Sequence, residues 1–384
     1  MAHIRKHPVT GKAQVRFRDP SGKERSKTFV RSSDARAYKS QIEHEMCRGA
    51  YIDRSLSKTA FCEVAALWLA GKVGLRRSSW VRDESYLRRH VLSFFGSYQV
   101  GSITKLMIEE WVRGLCSLGL SAGTVRQCFR ILRCVLDDAV ERGLIGASPC
   151  KRIGLPRVSP SSPLFLGPSS VARLASCIEP RFSALVLTAA YLGLRWGELA
   201  GLLRTGVDFS ASLLRVVGTL EEVAGIVRYV SETKSRGGRR SLPIPPFLVS
   251  VLSSHLSSFG APASLVPLLV DAPSVPGGTL PSSSFVFTDV DGGVLRGSRF
   301  RRRYWKPAVL AAGLDPSLRF HDLRHTCASL LIAQGAHPKE IQARLGHSSI
   351  KTTLDTYGHL LPGLGARLDE GLEMMFREAG RRDG

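Results

Sequence analysis

The sequence has no long hydrophobic run. Its most apolar segment, residues 182–194, is interrupted by Ser183, Thr188 and Gly193. A helix that crosses a bilayer needs about 20 predominantly apolar residues, so the sequence excludes a membrane-spanning protein and predicts no membrane partner. The N-terminal residues also lack the apolar segment of a secretory signal, and we expect none.

Cysteine occurs at eight positions, and none of them forms a Cys-x-x-Cys pair or another spacing typical of a disulfide framework. Most of these cysteines fall within apolar helical patterns. We therefore expect them to be reduced core residues of a cytoplasmic protein.

Acidic residues are scarce compared with basic ones. The chain has 54 Lys and Arg against 32 Asp and Glu, a formal net charge of +22, and residues 1–58 alone carry 14 basic and 6 acidic side chains. Arginine outnumbers lysine 41 to 13, and guanidinium suits bidentate contacts with phosphate and guanine. Positive charge distributed over the whole chain favours nucleic acid as the partner. The alternative is that the excess of basic residues reflects protein solubility or the composition of the genome.

The chain begins with two regions of different pattern. Residues 13–18 alternate and precede a turn at 19–22, which predicts a β-hairpin, and residues 33–48 predict a charged helix. Residues 59–147 show helical periodicity throughout and predict a domain of four or more helices, the first of them capped by Thr59.

The second half of the chain has a mixed pattern. Residues 148–168 are rich in proline and serine and predict an extended linker. Residues 169–384 combine helical and strand-like patterns and predict a mixed α+β domain. Within it, residues 260–284 are rich in Pro, Ser and Gly and indicate a surface insertion.

Four motifs of this last region carry side chains that can act together on a phosphate. They place Arg195 in Gly-Leu-Arg-Trp-Gly-Glu-Leu, Lys234 before a Gly-Gly turn, His321 and Arg324 in His-Asp-Leu-Arg-His, and His347 in Leu-Gly-His, ten residues before Tyr357. Arginine and lysine donate to phosphate oxygens, and a tyrosine hydroxyl is a competent nucleophile in a positive field. His321 and Arg324 lie three residues apart on one predicted helix and can face one site. Since no carboxylate cluster accompanies them, the set predicts metal-free phosphoryl transfer.

This order of residues resembles that of the tyrosine recombinase (phage integrase) family. The phrases Leu-Arg-Trp-Gly-Glu-Leu, His-Asp-Leu-Arg-His-Thr and Leu-Gly-His-Ser-Ser are nearly identical to the family's motifs and lie within residues 191–359. The resemblance implies a site-specific DNA recombinase that cuts and rejoins strands through a 3′-phosphotyrosyl intermediate, and so integrates or excises a phage or other mobile element. It implies no metal, no ATP and no other cofactor.

The resemblance also implies roles for the main site residues. Tyr357 would be the nucleophile, and Arg195 and Arg324 would hold the non-bridging phosphate oxygens. Lys234 would protonate the departing 5′-oxygen. Arg236 and Arg239 of the same loop are close competitors for this role.

The remaining site residues would assist. His321 would help proton transfer, and His347 would hydrogen-bond the phosphate. Glu198 matches the acidic residue that follows the first arginine and would orient it. Asp322 and His325 would support the site from behind or cap their helix.

The fold that the resemblance implies is multidomain. It has a small α+β arm-type DNA-binding domain (1–58), an all-α core-binding domain with a SAM-like helical bundle (59–147), a linker (148–168) and a mixed α+β catalytic domain with a C-terminal tail (169–384). Candidate DNA-binding residues outside the catalytic set are Arg16, Arg18, Arg236, Arg239, Arg301 and Arg302.

The implied partner is double-stranded DNA with core-type and arm-type sites. Two recombining sites have four strands to cut, so the resemblance implies a homotetramer on DNA. It leaves open the need for a DNA-bending protein and an excision factor as further partners. We expect a predicted helix near residues 366–378 to dock onto a neighbouring subunit. Its apolar residues are Leu368, Leu372, Met375 and Phe376.

Two alternatives remain from the residues themselves. His321 and His325 have the i, i+4 spacing of a helical zinc pair, although Asp322 stands where a zinc hydrolase has its glutamate base. The chain could also be a DNA-binding regulator that keeps the fold and cuts no strand. The complete motif set argues against both.

Overall fold

The computed structural model describes residues 2–19, 22–47, 56–159, 163–231, 239–259, 268–271, 278–360, 369 and 372–377. The chain divides into two compact units, residues 1–160 and 161–384. Across these described ranges, every helix is too short or too polar to cross a membrane.

The N-terminal residues form an antiparallel sheet with one helix, which confirms the predicted hairpin and helix. Its elements are β1 (His3–Lys6), β2 (Ala13–Arg18), β3 (Glu24–Phe29) and α1 (Ser32–Cys47). The central strand β2 pairs with both neighbours, with His3 opposite Arg16 and Ala13 opposite Phe29. A small core of Val15, Phe17, Ala35 and Ile42 lies between sheet and helix. The sequence analysis did not predict β1.

The rest of the first unit is a helical bundle, as its periodicity predicts. Its helices are α2 (Phe61–Ala70), α3 (Arg77–Tyr86), α4 (Leu92–Phe95), α5 (Lys105–Ser117) and α6 (Ala122–Glu141), and a π-helical segment (Leu87–Val91) joins α3 to α4. Ser121 caps α6 by accepting a hydrogen bond from the Thr124 N–H at 3.3 Å. The prediction that Thr59 caps α2 is wrong, because Ala60 is the N-cap and the Thr59 hydroxyl donates to Leu56 O at 2.7 Å.

The second unit is mixed, as predicted. Its helices are α7 (Pro168–Cys177), α8 (Pro180–Leu192), α9 (Trp196–Ala200), α10 (Pro246–Ser258), α11 (Gly297–Phe300), α12 (Lys306–Ala311), α13 (Asp322–Ala333), α14 (Pro338–Leu345) and α15 (Ile350–Tyr357), with a π-helical segment (Arg301–Trp305) between α11 and α12. Its strands are β4 (Val207–Asp208), β5 (Leu213–Val216), β6 (Thr219–Val223), β7 (Ile226–Val230), β8 (Arg240–Pro243), β9 (Leu268–Asp271) and β10 (Gly278–Leu280).

The strands of the second unit form two sheets, with orders β4-β5-β8 and β10-β9-β7-β6. β9 runs parallel to β7, and β10 runs antiparallel to β9. Both strands come from the segment that the sequence indicates as a surface insertion, so this segment also extends a sheet. Its apolar run Leu-Leu-Val is too short to predict a strand from pattern alone.

Helix α8 lies at the centre of the second unit. Its residues are buried on nearly every side, and it packs against α7, α10 and α13. A helix that is apolar all round belongs in a protein core. α8 and α13 therefore provide a rigid base on which the motif residues are held.

The eight cysteines are all free, but the expectation that they are core residues is only partly met. Cys128, Cys150 and Cys327 are buried, whereas four others are exposed. The exposed ones are Cys47, Cys62, Cys116 and Cys177. All four lie within two residues of a helix end, where helices fray and a periodic pattern no longer implies burial.

Candidate active site

Two helices of the second unit end close together, and the glycine that follows each helix has a left-handed backbone conformation. α8 ends at Gly193 (φ +65°) and α14 ends at Gly346 (φ +66°). Glycine adopts positive φ without the steric penalty that other residues meet. A Cβ at Gly193 would lie 2.5 Å from Leu345 Cδ2, so the close approach of the two helix ends also requires glycine.

Arg324 joins these two helix ends. It lies in the first turn of α13, is 3% exposed, and donates from Nη1 to Gly193 O at 2.6 Å and from Nη2 to Leu345 O at 2.5 Å. Helix C-termini carry partial negative charge, which favours a cation there. Burial, helped by the positive charge of Arg195, lowers the pKa of Arg324 to about 9, so the guanidinium stays charged at neutral pH.

Arg195 is held from two sides while part of it stays accessible. Its Nη1 donates to Glu198 Oε1 at 2.8 Å and its Nη2 donates to Gly346 O at 3.2 Å. Its backbone N–H donates to Glu198 Oε2 at 2.9 Å at the start of α9. The Arg195 side chain is 41% exposed. The guanidinium is thus oriented, and its open side can receive an anion.

A further arginine, which the sequence analysis did not select, completes this network. Arg240 at the start of β8 donates to both oxygens of Glu198, at 3.2 and 3.0 Å, and from Nε to Arg344 O at 2.8 Å. Burial alone would raise the pKa of the Glu198 carboxyl, but the bonds from Arg240 and Arg195 outweigh it and hold that pKa below its ordinary value. Arg240 shares its strand face with buried Leu242, and this period of two could have identified it.

Replacing Arg240 by methionine is expected to destabilise the second unit by about 3 kcal/mol, because loss of one partner leaves a buried carboxylate with less compensation. Arg195 still pairs with Glu198, so the low end of the usual range applies. Amide hydrogen exchange of α8 and α9 in the full chain measures this change. Arg239→Met is the matched control, since Arg239 is exposed and its loss should cost at most about 0.5 kcal/mol. Equal effects of the two substitutions would show that the buried pair does not stabilise the site.

Tyr357 lies in the same region, at the end of α15. It is 2% exposed, and its hydroxyl lies 2.9 Å from Nδ1 of His325. Burial raises the pKa of Tyr357 to about 12, although the positive charges of Arg324 and Arg195 act to lower it. The phenol is therefore mainly protonated at neutral pH.

The other two histidines of the motifs border this tyrosine or the helix that faces it. The ring of His347 lies parallel to that of Tyr357, with centroids 6.4 Å apart, and its Nδ1 is 2.9 Å from Thr353 Oγ1. The ring of His321 packs edge-on against His325 with centroids 5.2 Å apart. Burial, followed by nearby positive groups, lowers the pKa of both His347 and His321 to about 4. Both rings are therefore mainly neutral at neutral pH.

The hydrogen bonds of Asp322 are with the turn that precedes α13. It is 1% exposed and accepts hydrogen bonds from the backbone N–H of Arg319 at 2.7 Å and from its guanidinium at 2.8 Å. It therefore fixes the turn that begins α13. In the described ranges, no group of three or more His, Cys, Asp or Glu side chains is arranged to hold a metal ion.

Two of the predicted site residues, Lys234 and Arg236, lie outside the described residues. Arg239, on the other side of that gap, is exposed and donates to Ser231 O at 3.1 Å. The structure thus brings together Arg195, Glu198, His321, Arg324, His325, His347 and Tyr357.

The remaining candidate DNA-binding arginines belong to other elements of the chain. Arg301 and Arg302 are exposed on the π-helical segment of the second unit. Arg16 and Arg18 lie on β2 of the first unit, where Arg16 pairs with Glu24 at 3.2 Å and Arg18 is exposed.

Comparison with known proteins finds family matches in both units of the chain. The profile described as Phage integrase family matches residues 166–363, and that described as Phage integrase, N-terminal SAM-like domain, matches residues 60–116. The prophage phiRv2 integrase of Mycobacterium tuberculosis is 28% identical over 366 residues, which is 92% of this chain and 90% of that protein.

Solved structures share the fold. The Tn1549 transposon integrase in complex with transposon right end DNA is 21% identical with a TM-score of 0.66, and the match covers 84% of this chain and 100% of that one. A lambda integrase tetramer bound to a Holliday junction is 16% identical with a TM-score of 0.57, over 91% of this chain and 95% of that one. The family profile matches more than half of the residues of this chain. The chain therefore belongs to the phage integrase family and is a site-specific tyrosine recombinase.

Proposed function

We propose that Tyr357 is the nucleophile of this recombinase and that Arg324 and Arg195 bind the non-bridging oxygens of the scissile phosphate. The observation that carries this proposal is the position of the Tyr357 phenol, 2.9 Å from Nδ1 of His325, the residue that directly follows Arg324. The ring of His347, which follows the Arg195-bound Gly346, lies parallel to the Tyr357 ring. Preorganised cations stabilise the charge that develops on a phosphoryl group in the transition state. The exposed side of Arg195 leaves an approach for the DNA backbone.

Four further residues act in the same step. Lys234 protonates the 5′-oxygen as it departs, and His321 assists this proton transfer. His347 hydrogen-bonds the phosphate, and Glu198, held by Arg240, orients Arg195.

The chemistry conserves the bond energy of the DNA backbone. The tyrosine oxygen forms a bond to phosphorus while the bond from phosphorus to the 5′-oxygen breaks. One phosphodiester is exchanged for another, a 3′-phosphotyrosyl link. A 5′-hydroxyl of a second strand then attacks this link, so that rejoining needs neither ATP nor a metal ion. This exchange allows the chain to integrate or excise a phage or other mobile element.

The domain roles are also part of the proposal. Residues 1–58 bind arm-type DNA sites, with Arg16 and Arg18 as candidate contacts, and residues 59–147 bind the core-type site. Residues 148–168 link them to the catalytic domain, residues 169–384. There, Arg236, Arg239, Arg301 and Arg302 are candidate DNA contacts.

Removing residues 1–58 is expected to weaken binding to distal arm-type sites, because this segment has an excess of eight positive charges, 14 basic against 6 acidic side chains. The slope of log affinity against log salt should become shallower by about 0.9 for each phosphate that the shortened protein no longer neutralises. Binding to a core-type site should change little. Footprints over a salt series measure both, and unchanged protection of every site would contradict the arm role.

We further propose that the chain acts in the bacterial cytoplasm or nucleoid as a homotetramer on DNA, with a DNA-bending protein and an excision factor. The lambda integrase tetramer supports the fourfold assembly. Residues 372–377 are helical, and Leu372, Met375 and Phe376 are 64%, 70% and 78% exposed. This apolar helix would dock onto a neighbouring subunit, as predicted, while Leu368 lies outside the described residues.

A suicide substrate tests the proposal directly. The substrate is a duplex from the end of the encoding element, nicked so that the cleaved fragment diffuses away and the covalent adduct accumulates. Mass spectrometry of the digested adduct should place the nucleotide on the peptide that contains Tyr357. Tight binding of this DNA without any adduct would instead favour a regulator that cuts no strand.

A further inference from the structure

A hydrogen bond joins Tyr357 to a histidine that none of the proposed steps uses. Nδ1 of His325 lies 2.9 Å from the hydroxyl oxygen of Tyr357. His325 is half-buried on α13, directly after Arg324, whereas Tyr357 is the last residue of α15. The contact therefore connects the helix that carries the phosphate-binding arginine with the helix that carries the nucleophile.

We propose that His325 is a catalytic residue that accepts the phenolic proton of Tyr357 during strand cleavage and returns it during rejoining. This inference rests on the proposed function, because it requires Tyr357 to be the nucleophile. A general base must lie within hydrogen-bond distance of the proton that it takes, and 2.9 Å satisfies that condition.

The proton balance of the two steps is complete. In cleavage, an electron pair of the Tyr357 oxygen forms the bond to phosphorus, and the phenolic proton moves to Nδ1 of His325. A second proton, from Lys234, goes to the departing 5′-oxygen. In rejoining, a 5′-hydroxyl attacks phosphorus and gives its proton to Lys234. The tyrosine oxygen leaves and takes its proton back from His325, so the histidine ends the cycle neutral.

Burial, together with nearby positive charges, favours the neutral form of the His325 ring, which can accept a proton. Burial has the largest effect and lowers the pKa of His325, and the positive charges of Arg319 and Arg324 lower it further. The carboxylate of Asp322 acts in the opposite direction but does not reverse the shift. At neutral pH the unprotonated ring is therefore the main form, since the ordinary pKa of histidine is already about 6.5.

The other histidines of the site are placed for different tasks. His347 also faces this region, but its Nδ1 is engaged with Thr353 Oγ1 at 2.9 Å. His321 packs edge-on against the ring of His325. His325 is thus the histidine that contacts the phenol oxygen of Tyr357 directly.

His325→Asn tests this role, because the amide oxygen can still accept a hydrogen bond from the phenol but cannot take its proton. We expect the single-turnover rate of adduct formation to fall by about 10²-fold, the usual contribution of a general base. In the wild-type protein this rate should also fall as the pH drops through the lowered pKa of His325, since the protonated ring cannot accept a proton. That part of the pH profile should disappear in His325→Asn.

A substrate with a sulfur at the 5′-bridging position separates the two proton transfers. A thiolate leaves without protonation, so Lys234→Ala should regain activity on this substrate while His325→Asn stays slow. Added imidazole should partly restore His325→Ala, with a pH dependence that follows the neutral form of imidazole. Recovery of His325→Asn on the sulfur substrate would place His325 on the leaving-group side and overturn the inference.

The outcome also separates this inference from the proposed function. A His325→Asn protein that cleaves at the wild-type rate, beside an inactive Tyr357→Phe protein, refutes the proton acceptor and leaves the nucleophile intact. Covalent adducts formed by Tyr357→Phe would refute the nucleophile itself. If His325→Asn fails to fold, His325→Gln and His325→Ala provide the same comparison, and full activity of either without imidazole overturns the proposal.

Discussion

The Tyr357→Phe protein is expected to bind its DNA sites with wild-type affinity and to form no covalent adduct with nicked site DNA. The substitution keeps the buried ring and removes only the oxygen, whose hydrogen-bond partner is His325 Nδ1. The rate of strand cleavage should fall on the order of 10⁴-fold or more, as it does when an enzyme loses its nucleophile. A denaturing gel of the suicide substrate, read beside a binding assay on the same DNA, measures both quantities.

The fold should tolerate this change. Loss of the hydroxyl leaves one hydrogen bond unmade, at a cost of about 1–2 kcal/mol. Tyr304→Phe is a matched control, since Tyr304 is a half-buried tyrosine of the same unit that packs on Phe182 and Phe300. This control should form adducts at the wild-type rate. Adducts from Tyr357→Phe would show that a different residue attacks the phosphate.

Arg324→Lys is expected to lower strand cleavage by about 10²–10³-fold, with DNA affinity changed only a few-fold. Lysine keeps the positive charge but lacks the planar fork with which two nitrogens of the guanidinium donate to Gly193 O and Leu345 O. The charge would therefore be misplaced relative to the phosphate, and loss of one preorganised donor has an effect of this size. Single-turnover cleavage and equilibrium binding measure the two effects separately.

The lowered pKa of Arg324 gives this prediction its physical basis. A basic group whose pKa is lower in the folded chain than in the unfolded chain binds its proton less well when folded, so its charge opposes folding below that unfolded pKa. In the proposed function, this buried charge acts on the phosphate. Arg302→Lys is the control, because Arg302 is exposed and keeps its charge. Equal losses in both variants would mean that Arg324 acts only through general electrostatics.

Local pattern was sufficient to predict much of the fold. The long helix α6 has the apolar spacing of one buried face, a serine cap and a glycine beyond its end, and each of these signals is local in sequence. The motif at the start of α13 is also local in sequence, because His321 and Arg324 are three residues apart. Arg324 could therefore be placed on its helix without knowledge of tertiary structure.

Contacts between distant elements could not be predicted in this way. Arg240 pairs with Glu198 across 42 residues of sequence, and the His325–Tyr357 bond spans 32. These contacts depend on how β8, α9, α13 and α15 pack, which no local periodicity encodes. The strands β9 and β10 were missed for a related reason, because short strands gain their stability from neighbouring strands and not from their own sequence.

The two glycines that end α8 and α14 have a consequence for genetic screens. The carbonyls of Gly193 and Gly346 are acceptors for Arg324 and Arg195, and both glycines have positive φ. A randomised library selected for lost recombination should therefore be enriched in changes at these two positions, although neither has a side chain. A map of the selected positions would therefore include glycines that need a particular backbone conformation as well as residues with reactive side chains. How often a position is selected would not distinguish these two causes.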